Sequence, residues 1–288
     1  MTEAQGREAW PQTRPQHQGS TETPLTPEEV MRYQARGFVT PRLRLPDDTL
    51  ADLTAAVDAL IAANPGVRPE DLAVPHVPGG ASGCLNTPDA LRDVFLAVGR
   101  HPALVAAVAQ LIGPDLILWS SHAFCKPPRA GAAVPWHQDG QYWPIRPMAT
   151  CSVWIAIDPA GPENGCLRVI PGSHRDGLLA HGRQEDRSLA LDAAVDPASF
   201  DPWRAEDIIL PPGGLSFHDV HLIHGSEPNR SPYARRAMVY RYMPAAAHYD
   251  RATPDYVMRN GGVMRWADRP IWLVRGENRH PGNVVVTA

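Results

Sequence analysis

The 288-residue chain has little of what marks several large protein classes. No apolar run reaches the ~18 residues a membrane-spanning helix needs. There is no excess of positive charge: 27 Lys and Arg stand against 31 Asp and Glu, the formal net charge is −4, and the pI is about 6.3. That balance points neither to nucleic acid nor to an anionic membrane surface. Cysteine is scarce. The four are Cys84, Cys125, Cys151 and Cys166, with no CxxC pair and three of them in strand-like runs. Buried free thiols in a reducing cytoplasm are the expectation. The N-terminus lacks the apolar stretch of a secretory signal, and the last five residues are no peroxisomal or retention address. No internal repeat is visible. What remains is an ordinary globular composition, 43% hydrophobic and 20% charged, which suits one domain.

Residues 1–24 are polar, Pro-containing and aperiodic, and are expected to form a disordered leader ahead of a single domain over 25–288. A helix starts at Thr26-Pro27-Glu28-Glu29. Thr26 can cap it, Pro27 suits the first position, and Glu29 completes a capping box. It should stop at Gly37, before a strand at 38–40. A second helix is expected over 46–63, with Leu50, Leu53, Ala56, Val57 and Leu60 on one face. Residues 65–88 form a long Pro- and Gly-containing stretch. Loops of this length are usually functional or disordered, so 74–86 reads as a substrate lid or as a surface excursion. Two more helices follow at 88–96 and 102–112.

From Asp115 the period changes. Strands are expected at 116–126, 151–157, 166–171, 208–210, 215–217, 221–224 and 238–242. An irregular insertion occupies 175–203, and a polar extension with some apolar anchors runs from 266 to 288. Helices followed by many short strands with Gly and Pro turns predict a mainly β fold, helices packed on a double-sheet barrel with its core at about 115–244.

The chemistry centres on Trp136-His137-Gln138-Asp139. On extended backbone, residues i and i+2 face the same way, so one cation can take a nitrogen from His137 and an oxygen from Asp139. Gln138 should then face the opposite side. Three histidines could supply the third ligand: His218, His221 and His224. His224 is the choice, because Gly225 allows close backbone approach, Ser226 offers a hydroxyl, and Arg235 begins the next strand. Two histidines and one carboxylate with open positions are the usual signature of non-haem Fe(II) oxygenases. The open positions leave room for a bidentate 2-oxo acid and O2. An Arg suits the far carboxylate of such a cosubstrate, and Arg235 beside Ser226 fits that task. His218 and His221 are read as structural. Trp136, Tyr142 and Trp143 could be core or rim aromatics.

Several motifs then resemble one family. They are Lys126-Pro127-Pro128, Trp136-His137-Gln138-Asp139, Tyr142-Trp143-Pro144, Asn164-Gly165-Cys166-Leu167, Pro171-Gly172-Ser173-His174 and His224-Gly225-Ser226. In this order, over about 27–244, they resemble the phytanoyl-CoA dioxygenase family of Fe(II)- and 2-oxoglutarate-dependent oxygenases. The resemblance implies a double-stranded β-helix, a jelly-roll or cupin-like barrel. It implies iron on His137, Asp139 and His224, and 2-oxoglutarate on Ser226 and Arg235. It also places Trp154 and His122 near the cosubstrate. One departure is Gly213-Gly214, where relatives often have Gly-Asp; a changed turn is expected there.

The implied reaction consumes O2 and 2-oxoglutarate, with ascorbate as reductant in vitro, and hydroxylates an unactivated C–H bond. The substrate is expected to be a small specialised metabolite or an amino-acid-like compound, lined by Gln141, Trp143, Arg146 and the 74–86 loop. An acyl-CoA or carrier-bound acyl group is the alternative, although no dense Lys/Arg patch is present for CoA phosphates. Desaturation and epoxidation can run on the same iron site. Halogenation usually needs the carboxylate ligand replaced, and Asp139 argues against it. Outside enzymes, a metal-binding barrel without turnover would have no need of Ser226 and Arg235. Oligomeric state is not legible.

Overall fold

The structure is a computed structural model that describes residues 23–78, 85–186, 188–257 and 263–287. The expected leader up to residue 22, Cys84 and the glycine-rich centre of the 74–86 loop therefore lie outside the described residues.

Four helices come first: α1 (Pro27–Arg36), α2 (Asp47–Ala63), α3 (Asp89–Gly99) and α4 (Pro102–Ile112). The capping box at α1 is present. Thr26 Oγ1 accepts from the Glu29 N–H, and Glu29 Oε2 accepts from the Thr26 N–H at 2.8 Å. Gly37 ends the helix at φ +78°, where a Cβ would also fall 2.5 Å from His174 Nδ1.

The strands, in chain order, are β1 (Phe38–Val39), β2 (Leu72–Ala73), β3 (Leu116–Lys126), β4 (Val134–His137), β5 (Ile145–Arg146) and β6 (Cys151–Ala156). Then come β7 (Leu167–Val169), β8 (His181–Arg183), β9 (Ala193–Val195), β10 (Glu206–Ile208), β11 (Leu215–Asp219) and β12 (His224–Ser226). The last six are β13 (Arg235–Pro244), β14 (His248–Tyr249), β15 (Tyr256–Val257), β16 (Val263–Met264), β17 (Trp272–Arg275) and β18 (Val286–Thr287). The larger sheet runs β1-β11-β6-β13-β3-β17-β18, with β2 also on β3; the smaller runs β10-β7-β12-β4. The two sheets face one another as the expected jelly-roll barrel.

Strand alternation sorts the larger sheet's side chains between two cores. On β13, Met238, Tyr240 and Tyr242 turn to the helices, while Ala237 and Val239 turn into the barrel. The helix-side core joins Leu53, Val57 and Leu60 of α2 to Val153, Ile155 and Phe217 of the sheet, all essentially buried. Each such side chain contributes ~1.5–3 kcal/mol by leaving water. Tyr240 and Tyr242 keep their hydroxyls in that core by donating to the Phe95 and Gly99 carbonyls at 2.8 Å. The helices thus brace the sheet from outside and leave the barrel interior to the site.

The C-terminal extension has the apolar anchors expected of it: β17 pairs with β3, and Trp266, Ile271 and Trp272 are buried. Two sequence expectations need correction. The strand read at 221–224 begins at His224, because Asp219 Oδ1 accepts from the His221 N–H and the chain turns at 220–221. The described flanks of the 74–86 loop are core, since Val74, Val77 and Leu85 are at most 3% exposed and the Val74 N–H donates to Ser121 O. Cys125, Cys151 and Cys166 are buried free thiols, as expected. Among the described residues, no single helix is long and apolar enough to cross a membrane.

Candidate metal centre and substrate chamber

His137 closes β4, and Asp139 opens the single 3-10 turn Asp139–Tyr142 that follows. Gln138 between them is extended, so its neighbours point the same way. His224 opens β12 directly opposite His137 in the register of the smaller sheet. Gly225 permits the close pairing: a Cβ there would lie 2.9 Å from the Val134 carbonyl oxygen. The two imidazole centroids are 4.1 Å apart, and His137 Nε2 is 3.8 Å from Asp139 Oδ1. One ligand atom from each of the three residues lies within 4.8 Å of the others. Among the described residues this is the one group of three such side chains that could hold an ion.

The electrostatics prepare it for a cation. Each imidazole Nδ1 faces a main-chain carbonyl at 2.9 Å, Pro135 O for His137 and Leu222 O for His224. A carbonyl only accepts, so each Nδ1 carries the proton and each Nε2 offers its lone pair. Burial pushes both imidazoles below their usual pKa, into the neutral form a metal requires. Burial alone would raise the Asp139 carboxyl. Arg241, His218, His224 and His137 outweigh it and hold Asp139 well below the usual carboxylate range. Two neutral imidazoles and one carboxylate fit a divalent transition metal with open positions.

A small cavity between the sheets leads inward from this group, lined by Phe124, Trp154, Leu167, Ser226 and Arg235. Arg235 is 3% exposed; its guanidinium carbon lies 5.6 Å from the centroid of the Trp154 ring. Its Nη1 donates to Phe124 O, whereas its Nε has no partner. Burial lowers its pKa to about 10, so it stays charged at neutral pH. An orphaned N–H on a buried guanidinium, one cavity away from a metal triad, fits a carboxylate at the far end of an iron-bound 2-oxo diacid. The structure thus brings together His137, Asp139, His224, Ser226, Arg235 and Trp154.

His122 is elsewhere. It stacks on Phe124 at 3.7 Å, bonds through Nε2 to the Glu70 carbonyl, and lines a larger chamber on the other side of the triad. Burial lowers its pKa to about 4. That chamber also takes Gln141 and Trp143, as expected of substrate-lining residues. It does not take Arg146, which is exposed and donates to the Trp143 and Ile145 carbonyls. The described part of the 74–86 loop does not line it either; Glu70, Asp71 and Ala73 do. Its outer wall comes instead from the insertion and the C-terminal hairpin. Tyr256 stacks on Tyr142 at 4.4 Å, and its hydroxyl donates to Asp192.

Sequence reasoning missed three features. Arg241 stands six residues after Arg235 on β13, the same face by alternation, and lines both cavities. His218, read as structural, lines the inner cavity with its Nε2 3.9 Å from Asp139 Oδ2. Even spacing from Ser216 on β11 placed it inward. Gln138 does face away from the His137 and Asp139 side chains. Its amide then donates to the Gly177 and His221 carbonyls and accepts from the Leu179 N–H, tying the insertion to the segment after β4.

The family model for phytanoyl-CoA dioxygenase (PhyH) matches residues 33–237. A probable alpha-ketoglutarate-dependent hypophosphite dioxygenase of Stutzerimonas stutzeri is 28% identical over 165 residues, 57% of either chain. The match therefore spans little more than half of that relative's length. An ectoine dioxygenase of Streptomyces anulatus is 25% identical over 247 residues, 80% of this chain and 83% of its own. Among solved structures, the non-heme monooxygenase ThoJ in its apo form shares the fold with a TM-score of 0.64 at 24% identity, over 90% of this chain and 86% of that one. The non-heme alpha ketoglutarate dependent carbocyclase SnoK from nogalamycin biosynthesis does so at 0.61 and 24%, over 81% and 90%. With its family model matched over well more than half its length, the chain belongs to the phytanoyl-CoA dioxygenase (PhyH) family.

Proposed function

We propose that this chain hydroxylates an unactivated C–H bond of a small metabolite held in the chamber beside His137 and Asp139. His137, Asp139 and His224 would hold Fe(II), and Arg235 with Ser226 would hold the distal carboxylate of 2-oxoglutarate. When bound, iron and 2-oxoglutarate supply the oxidising power: O2 is consumed, 2-oxoglutarate becomes succinate and CO2, and one oxygen atom goes to the substrate. The chain's own part is to bind, orient and exclude water. Pro135 O and Leu222 O fix the imidazole tautomers. Arg241 and His218 keep Asp139 ionised. Trp119, Trp143 and Trp266 close the chamber around a substrate.

One observation carries this reading: the His-Asp-His group and the buried, half-partnered Arg235 border the same cavity. A structural metal site would have no use for the second. Acyl-CoA or carrier-bound substrates are less suited, because Arg241 is the one Lys or Arg lining the chamber among the described residues. Desaturation or epoxidation would use the same centre. The test is succinate release with Fe(II), ascorbate and 2-oxoglutarate, followed by a metabolite screen by mass spectrometry. A product heavier by one oxygen supports hydroxylation; loss of two hydrogens assigns desaturation instead.

A further inference from the structure

The chamber lining has buried polar atoms without partners: the donors Arg241 Nε and Trp119 Nε1 and the acceptor Gln141 Oε1. Arg241 is 8% exposed and stands where the chamber meets the inner cavity. Its Nη2 is 3.5 Å from Asp139 Oδ1, its guanidinium carbon is 4.9 Å from the centroid of Trp143, and its Nε has no partner. Trp119, edge-on to Trp143 at 4.7 Å in the same wall, has a buried Nε1 that also lacks one. An indole N–H can only donate. A second guanidinium, Arg269, is fully buried on Trp266 at 4.6 Å, with Nε and Nη1 unpartnered, and its charge is near enough to repel that of Arg241.

The acids of the chamber are by contrast engaged. Glu70 accepts from the Ala132 N–H, Asp71 pairs with Arg68, and Asp192 accepts from Tyr256. Asp139 belongs to the metal group. With Asp139 drawn to an ion, Arg241 is left as a buried guanidinium in an aromatic wall with its Nε unpartnered, a costly arrangement unless an acceptor completes it.

We propose that Arg241, with the Trp119 indole N–H, forms the recognition site for a carboxylate on the substrate. The apolar body of that substrate lies against Trp143, Tyr142 and Trp266. The proposal rests on the reading of the chamber as the substrate site. A planar guanidinium suits a carboxylate better than a neutral acceptor. Stacking on Trp143 and the contact with Asp139 hold the fork in place before the ligand arrives.

The test uses the Fe(II)- and 2-oxoglutarate-loaded protein without O2, titrated with 3-phenylpropionate, 3-phenylpropionamide, 3-phenylpropylamine and their naphthyl counterparts. Binding is read by tryptophan fluorescence and calorimetry. Saturating 2-oxoglutarate keeps the probes off Arg235. The carboxylates should bind tighter than the matched amides and amines by about 10-fold or more. Arg241→Gln should erase that preference, Arg241→Lys should retain part of it, and Trp119→Phe, which keeps an aromatic ring without the N–H, should weaken it. Equal or tighter binding of the amides or amines overturns the proposal. So does failure of every carboxylate to saturate below about 10 mM, or survival of the preference in both Arg241→Gln and Trp119→Phe. The Fe(II)-to-2-oxo-acid charge-transfer band separates the two readings: its presence without carboxylate preference overturns this one alone, and its absence in the wild type overturns both.

Discussion

Arg235 and Arg236 are neighbours on β13 whose guanidiniums lie on opposite faces of the larger sheet. Arg235 enters the inner cavity beside Trp154, whereas Arg236 turns to the helix side, where it bonds Asp158 through Nε and Nη2 at 2.9 and 2.7 Å and pairs with Asp58 of α2. Strand alternation thus separates a cavity-lining guanidinium from an ion-paired one across a single peptide bond.

Arg236→Ala should lower stability. Asp158, a largely buried carboxylate, would lose its main partner, and the part-exposed pair is worth about 1–2 kcal/mol. The denaturant midpoint should fall while iron content stays at the wild-type level. An unchanged midpoint would mean that the pair is merely decorative.

His137→Ala, Asp139→Ala and His224→Ala should each lose Fe(II) and remain folded. His221→Ala should keep its metal, since His221 pairs with Asp219 outside the triad. Metal analysis of the purified variants decides this. Loss of iron from His221→Ala with retention in His224→Ala would move the distal ligand.

Gln138→Ala would leave two carbonyls and the Leu179 N–H without their partner. Orphaned buried groups of this kind cost about 1–3 kcal/mol. Urea unfolding should show that loss with iron binding kept, because Gln138 faces away from the His137 and Asp139 side chains. Wild-type stability would show that solvent or a local shift replaces those bonds.

Lys126, the chain's single lysine, is 1% exposed and donates to the Glu227 carbonyl. Burial, reinforced by Arg235, pushes its pKa down to about 7 from 10.5. An unfolded chain keeps that proton to about pH 10.4. Between those values the unfolded state binds more protons, so this group makes stability rise with pH, and its full penalty is present below pH 7. Wild type should therefore gain on Lys126→Met by up to ~1.4 kcal/mol per pH unit from pH 7 to 9. Chemical unfolding of both proteins at several pH values checks the slope; a flat difference would place a solvated ammonium at this position.

The residues that could be read in sequence are those whose local pattern and tertiary role agree. Thr26 and Glu29 cap α1 as their spacing demands, and period-two alternation on β13 separates Arg235 from Arg236. His137 and Asp139 share a face even though a 3-10 turn, not a strand, carries Asp139. The misreadings fall where distant contacts decide. Val74 and Val77 look like loop residues between prolines and glycines, yet β2 docks the chain leading into them onto β3. The extension shows its apolar anchors in sequence, but nothing local says that Trp266 and Ile271 bury against Ile117 and Trp119 of β3. Nothing local ties Tyr256 to Asp192, 64 residues away. Arg241 shares a face with Arg235 by alternation on β13, but no motif around it marks it in sequence.

The most direct measurement is the affinity of the Fe(II)-loaded protein for 2-oxoglutarate, read without O2 from the charge-transfer band, in wild type, Arg235→Ala and Arg236→Ala. Removing one partner of a buried charge pair costs ~2–5 kcal/mol, so Arg235→Ala should weaken 2-oxoglutarate by roughly 30- to several thousand-fold. Monocarboxylic 2-oxo acids should lose far less, and Arg236→Ala should leave both unchanged. A band that weakens in Arg236→Ala and not in Arg235→Ala, or that never forms in the wild type, would contradict the account.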